Sequence, residues 1–229
     1  MRSEKITERE RRRYDDACGT AHALDLIGER WALLVIRELF FGPKRFSDLK
    51  ADLPGISANV LTQRLEGLEA VGVVRRMRLP PPASVQVYDL TEWGRETEPI
   101  FQTLGRWAAR SPSHDPTLPI SASSLMLSFR TMFDAARAKG LEATIAFRIG
   151  AERFLARISA GTIAIAREEA TRADVTFTGT APEIAAFVYG GAPLAALPKL
   201  TVSGDLELAN RFATLFPLPP KVLQVQPGS

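Results

Sequence analysis

The sequence predicts an α+β protein in two parts: a helical N-terminal half with one β-hairpin, then a half in which a sheet is flanked by helices. Three observations carry this. Residues 46–88 run as short helix, tight turn, second helix and two strand-like segments. Residues 143–178 hold alternating segments of strand length, with helical segments on either side. Between the halves, residues 111–123 (SPSHDPTLPISAS) are rich in Pro and Ser and show no apolar period, the composition of a linker. The predicted boundaries are therefore residues 1–110, a linker at 111–123, and residues 124–229. There is no convincing internal repeat.

In the first half, residues 14–27 and 29–41 read as helices. The second places Trp31, Leu34, Val35 and Leu39 at helical spacing with one charged exception, Glu38, and Gly42-Pro43 stops it. Residues 46–53 form a short helix, and Pro54-Gly55-Ile56-Ser57 a turn that ends in an N-cap serine. The next helix runs from Ser57 to Val71, with Leu61, Leu65 and Leu68 on one face and Asn59, Gln63 and Glu66 opposite, Thr62 beside them. Residues 73–79 and 85–88 are the strands of a hairpin around Pro80-Pro81-Pro82-Ala83-Ser84. Thr91 caps a last helix running to about Ala109, disturbed at Pro99, whose Ile100, Phe101, Leu104 and Trp107 form a stripe too apolar to face water. A short domain of this kind has little core for such a stripe to cover, so it reads as a dimer contact with the first helix.

A helix-turn-helix with a β-hairpin wing is a shape that carries a helix into a DNA major groove. Asn59 and Gln63 can bond bidentately to adenine, and Thr62 can meet a thymine methyl or a phosphate. Ser57 caps the helix and offers a hydroxyl to phosphate. Seven basic residues lie between Lys44 and Arg78 against four acidic ones. Lys44 and Arg45 at the first helix of the motif, and Arg75, Arg76 and Arg78 in the wing, are placed for backbone or minor groove. Arg64 lies on a flank, where it serves either DNA or a tie to its own domain. A solvated mixed-charge surface is the plainer account of the same charges.

The whole chain of 229 residues carries +3, is 45% hydrophobic and 24% charged, amounts that suit a packed water-soluble protein. No run approaches the roughly 18 apolar residues of a membrane span. The opening residues 1–13 lack the apolar core of a signal peptide. A cytoplasmic protein without membrane contact is expected. The single cysteine, Cys18, makes no intrachain disulfide. With only His22 nearby it forms no ligand set, so no metal or other cofactor is expected.

In the second half, residues 125–139 read as an amphipathic helix stopped at Gly140. Residues 143–149, 153–158, 162–167 and 173–178 read as strands, 182–189 as a helix with Pro near its start, 200–203 as a strand, and 206–216 as a helix capped by Asp205. Neither His22 nor His114 sits in a catalytic set, and no Gly-rich phosphate loop occurs, so an enzyme is not expected. The many apolar side chains make either ordinary core or the walls of a pocket between sheet and helices.

From Cys18 to about Trp107 the chain resembles the HxlR-type bacterial winged helix-turn-helix regulators. The resemblance rests on residues 23–31 (ALDLIGERW), 33–39 (LLVIREL), 42–49 (GPKRFSDL), 53–57 (LPGIS), 61–65 (LTQRL), 68–72 (LEAVG) and 88–94 (YDLTEWG), in that order. It implies homodimers on roughly palindromic double-stranded operators, with the N-terminal and last helices at the interface. Members often carry a cysteine where Cys18 stands, which in some senses oxidants or electrophiles; Gly19 follows it here where proline is common. His22, one helical turn on, can lower the thiol pKa when charged, and a small buried residue in a dimer contact is the plainer role.

From about Leu125 to Leu218 the second half is similar to sterol carrier protein-type lipid-binding domains, an α/β sandwich. Residues 173–184 (ADVTFTGTAPEI) and 200–212 (LTVSGDLELANRF) carry this. It implies a tunnel for an apolar small molecule, for which Met132, Phe187, Phe212 and Phe216 are the candidate lining residues. The combined expectation is a DNA-binding transcription regulator whose C-terminal domain senses an apolar ligand or merely supports the dimer. The competing reading is a lipid carrier whose winged half serves only as an interaction domain.

Overall fold

A computed structural model describes residues 14–223; the charged opening stretch, 1–13, lies outside the described residues. The N-terminal half contains α1 (Gly19–Ile27), α2 (Ala32–Leu39), α3 (Phe46–Asp52), α4 (Ala58–Ala70), strands β1 (Val74–Arg78) and β2 (Gln86–Leu90), α5 (Glu92–Arg95) and α6 (Glu98–Ala109). Ser57 caps α4 as its sequence position predicts, its Oγ accepting from the Val60 amide at 3.2 Å. Leu61, Leu65 and Leu68 are buried beneath it, with Val35, Ile36 and Leu39 of α2 in the same core. The wing pairs antiparallel from Val74↔Leu90 to Arg78↔Gln86.

The helix expected to run from Thr91 to about Ala109 with a disturbance at Pro99 is two helices, parted just before that proline. Thr91 caps α5 by accepting from the Gly94 amide, and Pro99 then sits in the first turn of α6, where its missing N–H costs nothing. Gly94 is required at this corner, because a Cβ there would stand 2.2 Å from the Val73 carbonyl oxygen. Phe101 turns inward, edge-on to Phe40 at 5.1 Å. Ile100, Leu104 and Trp107 remain outside on α6.

The C-terminal half contains α7 (Ala122–Met132), β3 (Ala143–Ile149), β4 (Glu152–Ser159), β5 (Thr162–Ala166), β6 (Val175–Gly179), α8 (Ala181–Gly190), β7 (Thr201–Gly204) and α9 (Leu206–Ala213). The strands lie in the order β5-β4-β3-β6-β7, with β3 and β6 parallel and every other neighbour antiparallel. In this register Ile145, Phe147, Val175 and Phe177 share the face covered by α7, α8 and α9, while Arg148, Arg153 and Arg157 point to the opposite face. Gly204 has φ +95°, and a Cβ would stand 2.1 Å from the Asp174 carbonyl oxygen, so the turn from β7 into α9 tolerates only glycine.

Two boundaries differ from those read in the sequence. Helix α7 starts earlier than 124, at Ala122 with Ser121 as its cap, which shortens the linker. It also ends at Met132, well before Gly140. Phe133 is extended, and the Asp134 carboxylate accepts from the amides of Ala136 and Arg137, a local turn that competes with the helix.

The halves pack on one another. α7 lies against α2 and α6, Phe41 meets Phe154 edge-on at 5.4 Å, and Arg130 both pairs with Glu98 and lies 4.7 Å over the Phe41 ring. The C-terminal segment closes back on the linker, where the Val222 amide donates to Arg110 O at 2.9 Å and Lys221 Nζ to Ser111 O at 2.9 Å.

Candidate nucleic-acid interface

The turn between α3 and α4 and the cap at Ser57 hold the start of α4 away from the core. Asn59, Thr62, Gln63 and Glu66 are all exposed on the outer face of α4. Among the described residues the side chains of Asn59, Thr62 and Gln63 have no intramolecular hydrogen-bond partner, so their donors and acceptors are free for a base edge. The first amides of α4 have no acceptor within the helix beyond Ser57, which leaves a patch that favours an anion. Arg45 is exposed at the N-cap of α3.

The wing arginines are exposed but tethered. Arg76 donates to Glu69 at 3.1 Å and lies 5.4 Å over the Tyr88 ring. Arg78 Nε donates to Ser84 O at 3.1 Å. Glu69, Arg76, Met77, Arg78, Ser84 and Gln86 line a shallow groove beside the hairpin. Arg75 is on the other face, paired with Asp89, which Arg95 also holds. Arg64 is turned back on its own domain: Nε donates to Arg30 O at 2.9 Å, and Nη2 pairs with Glu29.

Lys44 corrects the sequence reading. It was expected at a phosphate, yet it is 3% exposed and points into the junction between the halves. Its ammonium donates to Glu38 Oε2 at 3.1 Å, Asp52 Oδ2 at 2.5 Å and Ser123 Oγ at 3.1 Å, and Glu152 Oε1 lies 3.2 Å away. Burial opposes its charge, but Glu38, Glu152 and Asp52 outweigh that and hold Lys44 above the ordinary lysine range. This cluster was not found in the sequence, although the signal was there. A carboxylate within the buried stripe of α2 demands a cationic partner, and Glu38 is that carboxylate, 0% exposed.

Met132, Phe187, Phe212 and Phe216, the residues chosen as tunnel lining, do converge beneath the sheet, but they fill the space rather than frame it. Phe212 lies 4.8 to 5.8 Å from the rings of Phe216, Phe129, Phe147 and Phe177. Phe187 lies tilted against Phe177 at 5.7 Å, and Met132 is buried at the end of α7. Tyr189 donates or accepts at Ser128 Oγ, 2.6 Å away, and burial pushes its phenol well above the ordinary tyrosine range.

Cys18 is exposed at the N-cap of α1. The backbone amides of Ala21 and Thr20, with the Thr20 hydroxyl, hold its thiol below the ordinary cysteine value. The cause is the start of the helix, where the sequence had pointed to His22.

Residues 26–115 match the HxlR-like helix-turn-helix family, and residues 129–217 match the SCP-2 sterol transfer family. The HTH-type regulator YvaP of Bacillus subtilis is 38% identical over 86 residues, 38% of this chain and 80% of its own length. The HTH-type transcriptional regulator YodB of the same organism is 40% identical over 86 residues, 38% of this chain and 77% of its own. The solved reduced form of YodB is 35% identical and covers 44% of this chain and 100% of that one, with a TM-score of 0.39. With its winged half matched along most of the length of such relatives, the chain belongs to the HxlR-like helix-turn-helix family and carries an SCP-2-type domain behind it.

Proposed function

We propose that the protein is a homodimeric, DNA-binding transcription regulator, not an enzyme, whose C-terminal domain adjusts DNA affinity on binding an apolar small molecule. The carrying observation is the outer face of α4, where Asn59, Thr62 and Gln63 stand exposed and unpartnered on a winged frame. Arg45, Arg76 and Arg78 flank it for phosphates, and Ser57 positions the helix end. The names of YvaP and YodB as HTH-type regulators support this reading. The exposed stripe of Ile100, Leu104 and Trp107 is the dimer contact, which sets two reading helices for half-sites about one turn of DNA apart. Cys18 is a second input, a thiol whose lowered pKa suits reaction with oxidants or electrophiles.

Selection of duplexes from a random pool, followed by fluorescence anisotropy over a range of salt, tests the core of the reading. A selected palindrome bound with a steep loss of affinity on adding salt is expected. Repeating the titration with a cellular lipid extract tests the ligand. A shift equivalent to about 1–3 kcal/mol is enough for a useful switch. Failure to enrich any duplex, with lipid retained by the protein, would favour a carrier with a winged interaction domain.

A further inference from the structure

Lys44 occupies a node of the fold. Its backbone bridges β2 in both directions, Lys44 N–H to Tyr88 O at 2.9 Å and Tyr88 N–H to Lys44 O at 2.8 Å. It is also the residue before Arg45, the N-cap of α3. The Lys44 peptide thus ties the helix-turn-helix to the wing strand β2, in addition to the Arg76–Glu69 pair between β1 and α4. Its side chain reaches Glu38 of α2, Asp52 at the end of α3, Ser123 of α7 and Glu152 of β4. The first two belong to the winged half and the last two to the C-terminal half.

An ammonium has three protons, and here four acceptors surround it. Glu38 and Asp52 take two, so Ser123 and Glu152 compete for the third, with Ser123 holding it in this arrangement. Glu152 is left with a charge contact from Lys44 and a bond from Arg167 Nη2 at 3.0 Å, both on Oε1. Its Oε2, and Arg167 Nε, are buried with no hydrogen-bond partner among the described residues. The formal charges of the cluster balance, Lys44, Arg37 and Arg167 against Glu38, Asp52 and Glu152. The winged side of the junction is therefore satisfied and stiff, and the C-terminal side is under-bonded. Two discrete hydrogen-bond arrangements are available, since the third proton goes either to Ser123 or to Glu152. Packed interfaces of this sort switch between arrangements rather than deform continuously. The edge-on contact of Phe41 with Phe154 carries the same strand, β4, against the segment that leads into Lys44.

We propose that this buried ionic junction couples the two domains: competition between Ser123 and Glu152 for Lys44 lets the state of the C-terminal domain set the position of α3 and the wing. Its regulatory meaning rests on the DNA-binding reading, and its structural content does not. A movement of β4 or α7 changes which acceptor Lys44 favours, and the same residue fixes the entry to α3 and the pairing with β2.

The test uses the full chain and three variants. Glu152→Gln removes the charge at the junction with the same size. Glu168→Gln removes a charge from the same half, in the exposed pair with Arg157. Ser123→Ala removes the competing acceptor. Hydrogen–deuterium exchange is read in residues 46–52 and 86–90. Glu152→Gln is expected to speed exchange there, Glu168→Gln to leave it unchanged, and Ser123→Ala to slow it by handing the third proton to Glu152. Unchanged exchange in Glu152→Gln, or a change of the same sign in Ser123→Ala, overturns the proposal. With a selected duplex, Glu152→Gln should also change affinity by about fivefold or more, although Glu152 lies in the other domain. Altered exchange in a protein that enriches no duplex would uphold the coupling while removing the regulator it serves.

Discussion

Trp107 is the side chain whose removal should be felt most in the assembled protein. It is 69% exposed on α6, in line with Ile100 and Leu104, which are 47% and 44% exposed. A tryptophan offers on the order of 250 Å², so its open part is roughly 170 Å². If a partner α6 covers half of that, burial at ~25 cal/mol per Å² is worth about 2 kcal/mol in each protomer. A two-fold dimer contains the site twice, so Trp107→Ala should cost about 4 kcal/mol and raise the dimer dissociation constant by about a thousandfold. Sedimentation equilibrium over a range of concentrations measures this directly. Leu206→Ala, at an exposed apolar position at the start of α9, is the control that should leave the constant unchanged. Equal dissociation constants for wild type and Trp107→Ala would refute the assignment of this stripe as the contact between copies.

Gln63→Ala should weaken binding to a selected duplex by about 1–3 kcal/mol while leaving scrambled DNA alone, whereas Arg78→Ala should weaken all duplexes alike and lower the salt slope by about 1; parallel anisotropy titrations separate the two. Phe212→Ala, at a site with 0% exposure among four other rings, should cost about 3–5 kcal/mol in urea unfolding. Lys44→Met leaves buried carboxylates without their ammonium and should cost about 3–5 kcal/mol at neutral pH. Because the folded pKa of Lys44 lies above its unfolded value, that stabilisation is complete below about pH 10.4 and is lost as pH rises through the folded value; unfolding series at neutral and alkaline pH should therefore show the variant closing on wild type at the alkaline end. Cys18 should alkylate with an apparent pKa below that of a free cysteine, because the start of α1 favours its thiolate; a rate profile no lower than that of a free thiol would remove the helix effect.

Local signals explain what was legible in the sequence. Ser57, Thr91 and Asp205 are each read as caps from neighbours alone, and each accepts from an amide three residues on. The outer face of α4 follows from the period of Leu61, Leu65 and Leu68. Strands β3 to β7 follow from alternation, and only the parallel pairing of β3 with β6 needs the fold. What failed was long-range. Lys44 looks like a surface cation because Asp52 is near in sequence but Ser123 and Glu152 are 79 and 108 positions away. Arg64 on a flank of α4 has a fixed direction only once Glu29 and Arg30 are placed beside it. The end of α7 at Met132 is set by Asp134, whose amide is also held by Leu215 O, far along the chain. Helical period continues beyond that point in the sequence, so periodicity alone runs through it.

The filled interior of the C-terminal domain constrains how a ligand can act. Phe129, Phe147, Phe177 and Phe212 pack beneath the sheet at ring separations of 5.5 to 5.8 Å, so that among the described residues these rings occupy the space where an apolar molecule would lie. On the proposal that this domain binds an apolar molecule, binding would select a conformation in which α7, α8 or α9 stands off the sheet, and the observed affinity would fall by the population of that state. A ligand bound in this way would bring a structural change with it, which is the property a sensor needs and a simple core lacks. The same rings reach the junction by a short path: Phe129 belongs to α7, the helix that carries Ser123 and lies against α2 and α6. A shift of α7 that makes room beside Phe129 moves the Ser123 hydroxyl relative to Lys44 and alters the balance with Glu152. On the same proposal, a ligand that displaces α7 would need no contact near DNA to be felt there, because that helix supplies Ser123, one of the two acceptors between which Lys44 chooses.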